Sequence, residues 1–139
     1  MTSSASSSPT TPPAPEPPSF FVDRSLGVTV TQGLTAVGWR VTSIDSVFED
    51  HAQGVADEEW IEYGGRRGWA LLTKDKRIRR QPSFERAITP IFALSNGNIS
   101  LRVIVQRFDD VRDRIWRNAQ NPRREFWVVY ENRVERQYP

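Results

Sequence analysis

From Ser19 onward the apolar positions switch between two periods, and the switches predict the elements of the fold. Ser19-Phe20-Phe21-Val22-Asp23 is a short apolar run of the kind found in strands buried on both faces. Leu26, Val30, Leu34 and Val37 recur at steps of four, four and three, which is one face of a helix, and Gly38 follows as its terminator. Trp39 to Ile44 reads as a second strand, and residues 45–56 read as a polar loop. A helix is predicted over 57–67, with acids in its first turn and Arg66-Arg67 in its last, as the helix dipole favours. Gly68 closes it. Trp69 to Thr73 is a third strand, followed by a basic turn. Pro82 opens a short helix to about Ala87, and Ile91 to Leu94 is a fourth strand ending in Ser95-Asn96-Gly97-Asn98. Leu101, Ile104, Val105, Phe108, Val111 and Ile115 mark the longest helix, over 100–117, with Ser100 as its cap. Phe126 to Tyr130 is a fifth strand, and Arg133 to Tyr138 extends the sheet edge.

Strands alternating with helices imply βαβ units. The expected fold class is α/β: a small three-layer α/β/α sandwich with a mostly parallel central sheet. Residues 1–18 stand apart, being Met1 followed by Ser, Thr, Pro, Ala and one Glu. Such a segment cannot bury enough apolar surface to offset its chain entropy, so a disordered tail is expected over 1–18 and one domain over 19–139. The tail has neither the basic start nor the apolar stretch of a signal peptide.

Composition narrows the chemistry. The 139 residues are enough for one core, and 37% of them are hydrophobic. With no cysteine, a disulfide framework, a thiol nucleophile and thiolate-held zinc are excluded. A single histidine, His51, leaves oxygen ligands as the realistic metal donors. It lies in the polar loop and reads as non-catalytic. No apolar run approaches the roughly 20 residues of a membrane span, so no membrane association and a cytoplasmic location are expected. The phosphate-cradling glycine loops, the G-x-S-x-G elbow and the H-E-x-x-H metal motif do not occur. Net charge is only +2, yet residues 74–80 concentrate Lys74, Lys76, Arg77, Arg79 and Arg80.

Three acidic stations remain: Asp23, Asp57-Glu58-Glu59, and Asp75. Two of them sit at the C-terminal end of a predicted buried strand, the edge where open α/β sheets bind ligands. Carboxylates gathered there repel one another unless a cation lies between them, and clustered oxygens suit Mg²⁺ or Mn²⁺. A metal held by acids beside a cationic strip is what phosphodiester cleavage requires. Each acid also has a plainer reading. Asp23 can end a strand, Asp57 can cap a helix, and Thr73-Lys74-Asp75 can be an ordinary strand-to-loop transition. The basic run can be a solvated face. Asp109, Asp110 and Asp113 read as structural, with Asp110 and Arg114 spaced for an i,i+4 pair. The five tryptophans read mostly as core.

Four pieces together resemble the PIN-like nuclease superfamily, and more narrowly its VapC-type toxin branch. They are Phe20-Phe21-Val22-Asp23-Arg24-Ser25-Leu26-Gly27, the hydrophobic strand after Gly38, Ala56-Asp57-Glu58-Glu59-Trp60-Ile61, and Leu71-Leu72-Thr73-Lys74-Asp75-Lys76-Arg77-Ile78-Arg79. The likeness covers essentially all of 19–115, and the last piece is the most specific. It implies a PIN fold and a divalent-metal-dependent endoribonuclease, the toxin of a toxin–antitoxin pair, with RNA, a cognate antitoxin protein and a second copy as partners. Asp23 matches the first-strand acid, Asp57 the helix-start acid with Glu58 as a close substitute, and Asp75 the acid of the Thr-x-Asp motif. Thr73 is auxiliary, and Asn96 or Asn98 offers a neutral oxygen. Lys74, Lys76, Arg77, Arg79 and Arg80 are the expected contacts to the RNA backbone. The chain departs from the pattern at Arg77, where relatives often carry another acid. That departure keeps open a degenerate PIN-like module that binds RNA or protein without cleaving. The long amphipathic helix also leaves open a protein-interaction domain.

Overall fold

The structure is a computed structural model that describes residues 16–48 and 54–139. The expectations for residues 1–15 and for His51 lie outside the described residues. Six strands form one sheet: β1 (Ser19–Val22), β2 (Arg40–Ser43), β3 (Ala70–Thr73), β4 (Ile91–Leu94), β5 (Phe126–Val129) and β6 (Val134–Tyr138). Their order across the sheet is β2-β1-β3-β4-β5-β6. The first five are parallel, and β6 pairs antiparallel with β5 at one edge.

Successive residues of a strand point to opposite faces, and each face carries its own core. Phe20, Val22, Leu72, Phe92, Leu94 and Val129 pack with α1 (Gly27–Ala36), α3 (Leu101–Asp110) and α4 (Arg112–Ala119). Phe21, Leu71, Ile91, Phe126 and Val128 pack on the other face with α2 (Asp57–Arg66) and the 3₁₀ turns Lys76–Arg80 and Pro82–Arg86. Burial on both faces explains why β1, β3 and β4 read as unbroken apolar runs. The result is the expected three-layer α/β/α sandwich. Among the described residues no helix is long and apolar enough to cross a membrane.

Two helices stop by the same device. After α1, Gly38 adopts φ +99°, the Gly38 N–H donates to Thr35 O at 3.1 Å, and the Trp39 N–H donates to Leu34 O at 3.0 Å. After α2, Gly68 adopts φ +73°, with Gly68 N–H to Gly65 O at 3.0 Å and Trp69 N–H to Gly64 O at 2.9 Å. This paired closure needs a left-handed residue, which glycine adopts without a steric penalty. Each stop aims a tryptophan and then a strand back into the sheet.

Three expectations need correction. The helix expected over 100–117 is two, α3 and α4, joined at Val111. At that joint Asp109 accepts from Trp39 Nε1 at 2.9 Å, and Arg112 donates to Val37 O at 3.1 Å, so the end of α1 and the start of β2 fasten the break. Asp110 accepts from Gln106 Nε2 at 2.6 Å, and the acid–base pair of this segment is Arg112–Asp109. The short helix after Pro82 is a 3₁₀ turn. Ser100 does cap α3, its Oγ accepting from the Val103 N–H at 3.3 Å.

Gly64 and Gly65 test the packing of α2. A methyl group on Gly64 would meet Leu71 Cδ2 at 2.6 Å and Phe21 Cδ2 at 3.1 Å, both in the buried core. On Gly65 it would meet Ile88 Cγ1 at 2.7 Å, from a side chain that is 52% exposed and able to swing away. Gly64→Ala is expected to lower stability in chemical denaturation by about 1–3 kcal/mol through overpacking. Gly65→Ala is expected to be near neutral, because relief of the glycine helix penalty of about 1 kcal/mol offsets a small displacement.

Candidate active site

The strand order reverses at β1, with β2 on one side and β3 on the other. In a doubly wound sheet the crevice at such a reversal opens beyond the carboxyl ends of the two strands. Asp23 follows β1 there, and its backbone N–H continues the ladder by donating to Leu72 O at 2.9 Å. Asp75 lies two residues beyond the end of β3. Thr73, fully buried, connects them: its Oγ1 donates to Asp23 Oδ2 at 2.7 Å and accepts from the Asp75 N–H at 3.1 Å. Ser25 Oγ also donates to Asp23 Oδ2, at 2.8 Å.

Asp57 is the first residue of α2. The expectation that it caps the helix is corrected, because the capping position belongs to Ala56, whose methyl group accepts nothing. Glu59 Oε1 instead reaches back to the Ala56 N–H at 3.4 Å. The Asp57 carboxylate turns toward its own helix, where Oδ1 accepts from Trp60 Nε1 at 2.8 Å.

These placements bring Asp23, Asp57 and Asp75 to the wall of one cavity of about 500 Å³, with Arg24, Ser25 and Trp60 beside them. The three carboxylates are not alike. Burial pushes the Asp23 carboxyl above its ordinary value, and the charge of Asp57 adds to this, while hydrogen bonds from Thr73 and Ser25 oppose it. Asp75 is held below its ordinary value by Arg77. Arg77 grips it as a fork, with Nε on Oδ1 at 2.9 Å and Nη2 on Oδ2 at 3.2 Å, and its N–H also donates to Oδ1 at 3.0 Å. Among the described residues no three acids or histidines draw close enough to hold an ion jointly. Arg77 supplies the cation that faces one of the three carboxylates, Asp75.

The donors lining the cavity are hard carboxylate oxygens, which fit Mg²⁺ or Mn²⁺. Asp23 and Asp57 each anchor one oxygen, and among the described residues their second oxygens, Asp23 Oδ1 and Asp57 Oδ2, carry no side-chain bond. Of the three carboxylates, these two are the ones that could hold an ion.

Not every residue expected at the site is there. Glu58 is exposed and outside the cavity lining. Asn96 is exposed, with its Oδ1 accepting from the Asn98 N–H at 2.9 Å. Asn98, Lys74 and Lys76 line an adjoining cavity. Arg79 is partly committed to Gln137. Ser25 and Trp60 escape sequence reasoning as positioning residues. The i,i+3 spacing of Asp57 and Trp60 is the only signal that points to one of them.

A family model described as a PIN like domain matches residues 18–96. No curated protein and no solved structure gives a significant match.

Burial of the Asp23 charge predicts a trade against stability. A carboxyl whose folded pKa is raised favours folding when protonated, so stability falls as pH rises from the ordinary carboxylate range through the folded value. Asp23→Asn removes that charge and keeps an oxygen for Thr73 and Ser25. In EDTA its melting temperature is expected to exceed that of wild type at neutral pH. The difference should shrink to nothing in acid below the ordinary carboxylate range. A lower melting temperature at neutral pH would contradict it.

Proposed function

The chain belongs to the PIN-like domain family, whose members are commonly nucleases, and on that premise we propose that it is a divalent-metal-dependent endoribonuclease. The observation that carries this reading is the convergence of Asp23, Asp57 and Asp75 on one cavity at the sheet's switch point.

Asp23 and Asp57 are the residues that would hold Mg²⁺ or Mn²⁺. When bound, such an ion supplies Lewis-acid stabilisation and lowers the pKa of a bound water. Thr73 and Ser25 fix the orientation of Asp23, and Trp60 fixes that of Asp57. Asp75 enters the set when Arg77 lets go. The Arg77 side chain is 83% exposed, and solvent screens such an ion pair, so the carboxylate is readily exchanged for a substrate phosphate. Lys74, Lys76 and Arg80 stand nearby for the RNA backbone, which brings salt-sensitive binding. The likeness to the VapC-type branch extends the proposal to a cytoplasmic toxin with a cognate antitoxin and a homodimeric state.

One observation favours a second reading. Arg77 occupies both oxygens of Asp75, which suits a degenerate domain that binds RNA without cutting it.

The test is RNA cleavage in Mn²⁺ or Mg²⁺ by wild type and Asp23→Asn, with an EDTA control. Wild type is expected to cut, EDTA to stop it, and folded Asp23→Asn to lose more than about a hundredfold, beyond the range seen for groups that merely support a metal ligand. Intact RNA at high protein concentration with both metals would sink the nuclease reading, and retained binding would then support the degenerate domain.

A further inference from the structure

The acid cavity is the first of three in a row. Ser25 and Asp75 also line a second cavity of about 400 Å³ together with Lys74 and Asn98. Lys76 and Arg77 pass from the second into a third, of about 360 Å³. The third lies over β5, two strands from β3 and so roughly 10 Å across the sheet at the usual strand spacing. It exists because this face is covered unequally. Helix α2 packs over β3, whereas β5 meets the short 3₁₀ turns.

The third cavity is built of two unlike halves. Its rim is cationic, formed by Lys76, Arg77, Arg79 and Arg80 of the basic turn. The other half is apolar, with Phe126 and Val128 from β5 and the ring of Tyr130 just beyond it. Both halves are held in place. Ile78, fully buried, roots the basic turn in the core, and Arg79 Nη1 donates to Gln137 O and to Gln137 Oε1, each at 3.2 Å. The Arg133 guanidinium stacks 4.1 Å from the centroid of the Tyr130 ring, which fixes the plane of that ring. A merely solvated basic face has no such aromatic wall.

We infer that this third cavity seats one unpaired nucleotide of an RNA strand running from the acid cavity along the basic turn, with the base against Tyr130 and its phosphate at Arg80. The inference rests on the ribonuclease reading for the identity of the strand. It goes beyond that reading by naming a base-binding position separate from the site of cleavage. Aromatic stacking tolerates any base, because every base has a π face. Single-stranded RNA suits the position, since its bases are free to splay onto side chains. A duplex would keep its bases stacked and out of reach.

The test is a binding experiment in EDTA, so that no cleavage intervenes. A fluorescent single-stranded RNA hexamer is titrated with wild type, Tyr130→Leu, Tyr130→Phe and Arg80→Ala, each checked by thermal melting. One abasic substitution is then walked along the hexamer. For wild type, one position is expected to lose about tenfold in affinity, within the range of base–aromatic stacking. Tyr130→Leu should bind the intact hexamer about tenfold more weakly and no longer notice that abasic position, while Tyr130→Phe should behave as wild type. Arg80→Ala, at an exposed position, should weaken binding and make the salt dependence shallower by about one unit. Absence of binding by wild type, equal abasic losses in wild type and Tyr130→Leu, or an unchanged salt slope in Arg80→Ala would each overturn the inference. The expected pattern without any cleavage in Mn²⁺ would support the nucleotide seat and overturn only the nuclease reading.

Discussion

The parallel pairing of β1 with β3 is the constraint on which the rest of the molecule depends. It sets Phe20 opposite Ala70, Phe21 opposite Leu71 and Val22 opposite Leu72, and it runs on through the Asp23 N–H to Leu72 O. With apolar side chains alternating between two buried faces, a slip of one residue would exchange the two cores, so the register is strongly specified. The same register carries Thr73 to Asp23. Asp23 and Asp75 are thus placed by an extension of the sheet ladder, whereas Asp57 is brought to the same cavity by the start of α2. The arrangement has a cost, since a carboxylate is drawn into partial burial. Two hydroxyl donors, Thr73 and Ser25, offset part of that cost.

Asp75 ties the site to the groove beside it. Its side chain accepts from the Arg77 N–H at the start of the basic 3₁₀ turn, which is a capping role, and it also faces the acid cavity. The plainer reading of Asp75 and the functional one therefore describe the same carboxylate. Movement of Arg77 would change both the charge in the cavity and the position of the first residues of the basic turn. One carboxylate therefore links the acid cavity to the basic turn.

The two faces of the sheet are covered differently. Helices α1, α3 and α4 cover one face with a continuous core, and Trp39, Asp109 and Arg112 fasten it where α3 gives way to α4. The other face has a single helix and short turns, and the acid cavity and the cavity over β5 lie along it and its strand ends. Each face nevertheless has its own buried core, so both contribute to stability. Gly64 shows how closely α2 must approach to close even its part of the second face.

The local signals in the chain were enough for the strands, for the first two helices and for the order of the elements. They were not enough for the break at Val111 or for the 3₁₀ form of the turn after Pro82. Apolar runs marked β1, β3 and β4, Gly38 and Gly68 marked the ends of α1 and α2, Ser100 marked the start of α3, and two acids fell at strand ends. Each of these rests on chemistry acting within a few residues: alternation of faces, a left-handed stop, a hydroxyl cap. What the tertiary structure decided lies beyond that range. The bond from Thr73 to Asp23 spans 50 residues and exists only because two strands share a register. The break at Val111 follows from contacts to Trp39 and Val37 far along the chain. Likewise, the shared wall of Asp23, Asp57 and Asp75, and the exclusion of Glu58 and Asn96 from it, depend on where the sheet reverses its order. Sequence alone determined the kinds of group available to this protein, and packing in three dimensions decided which of them meet, because a pattern of residues records local preference but not the distance between parts that only folding brings together.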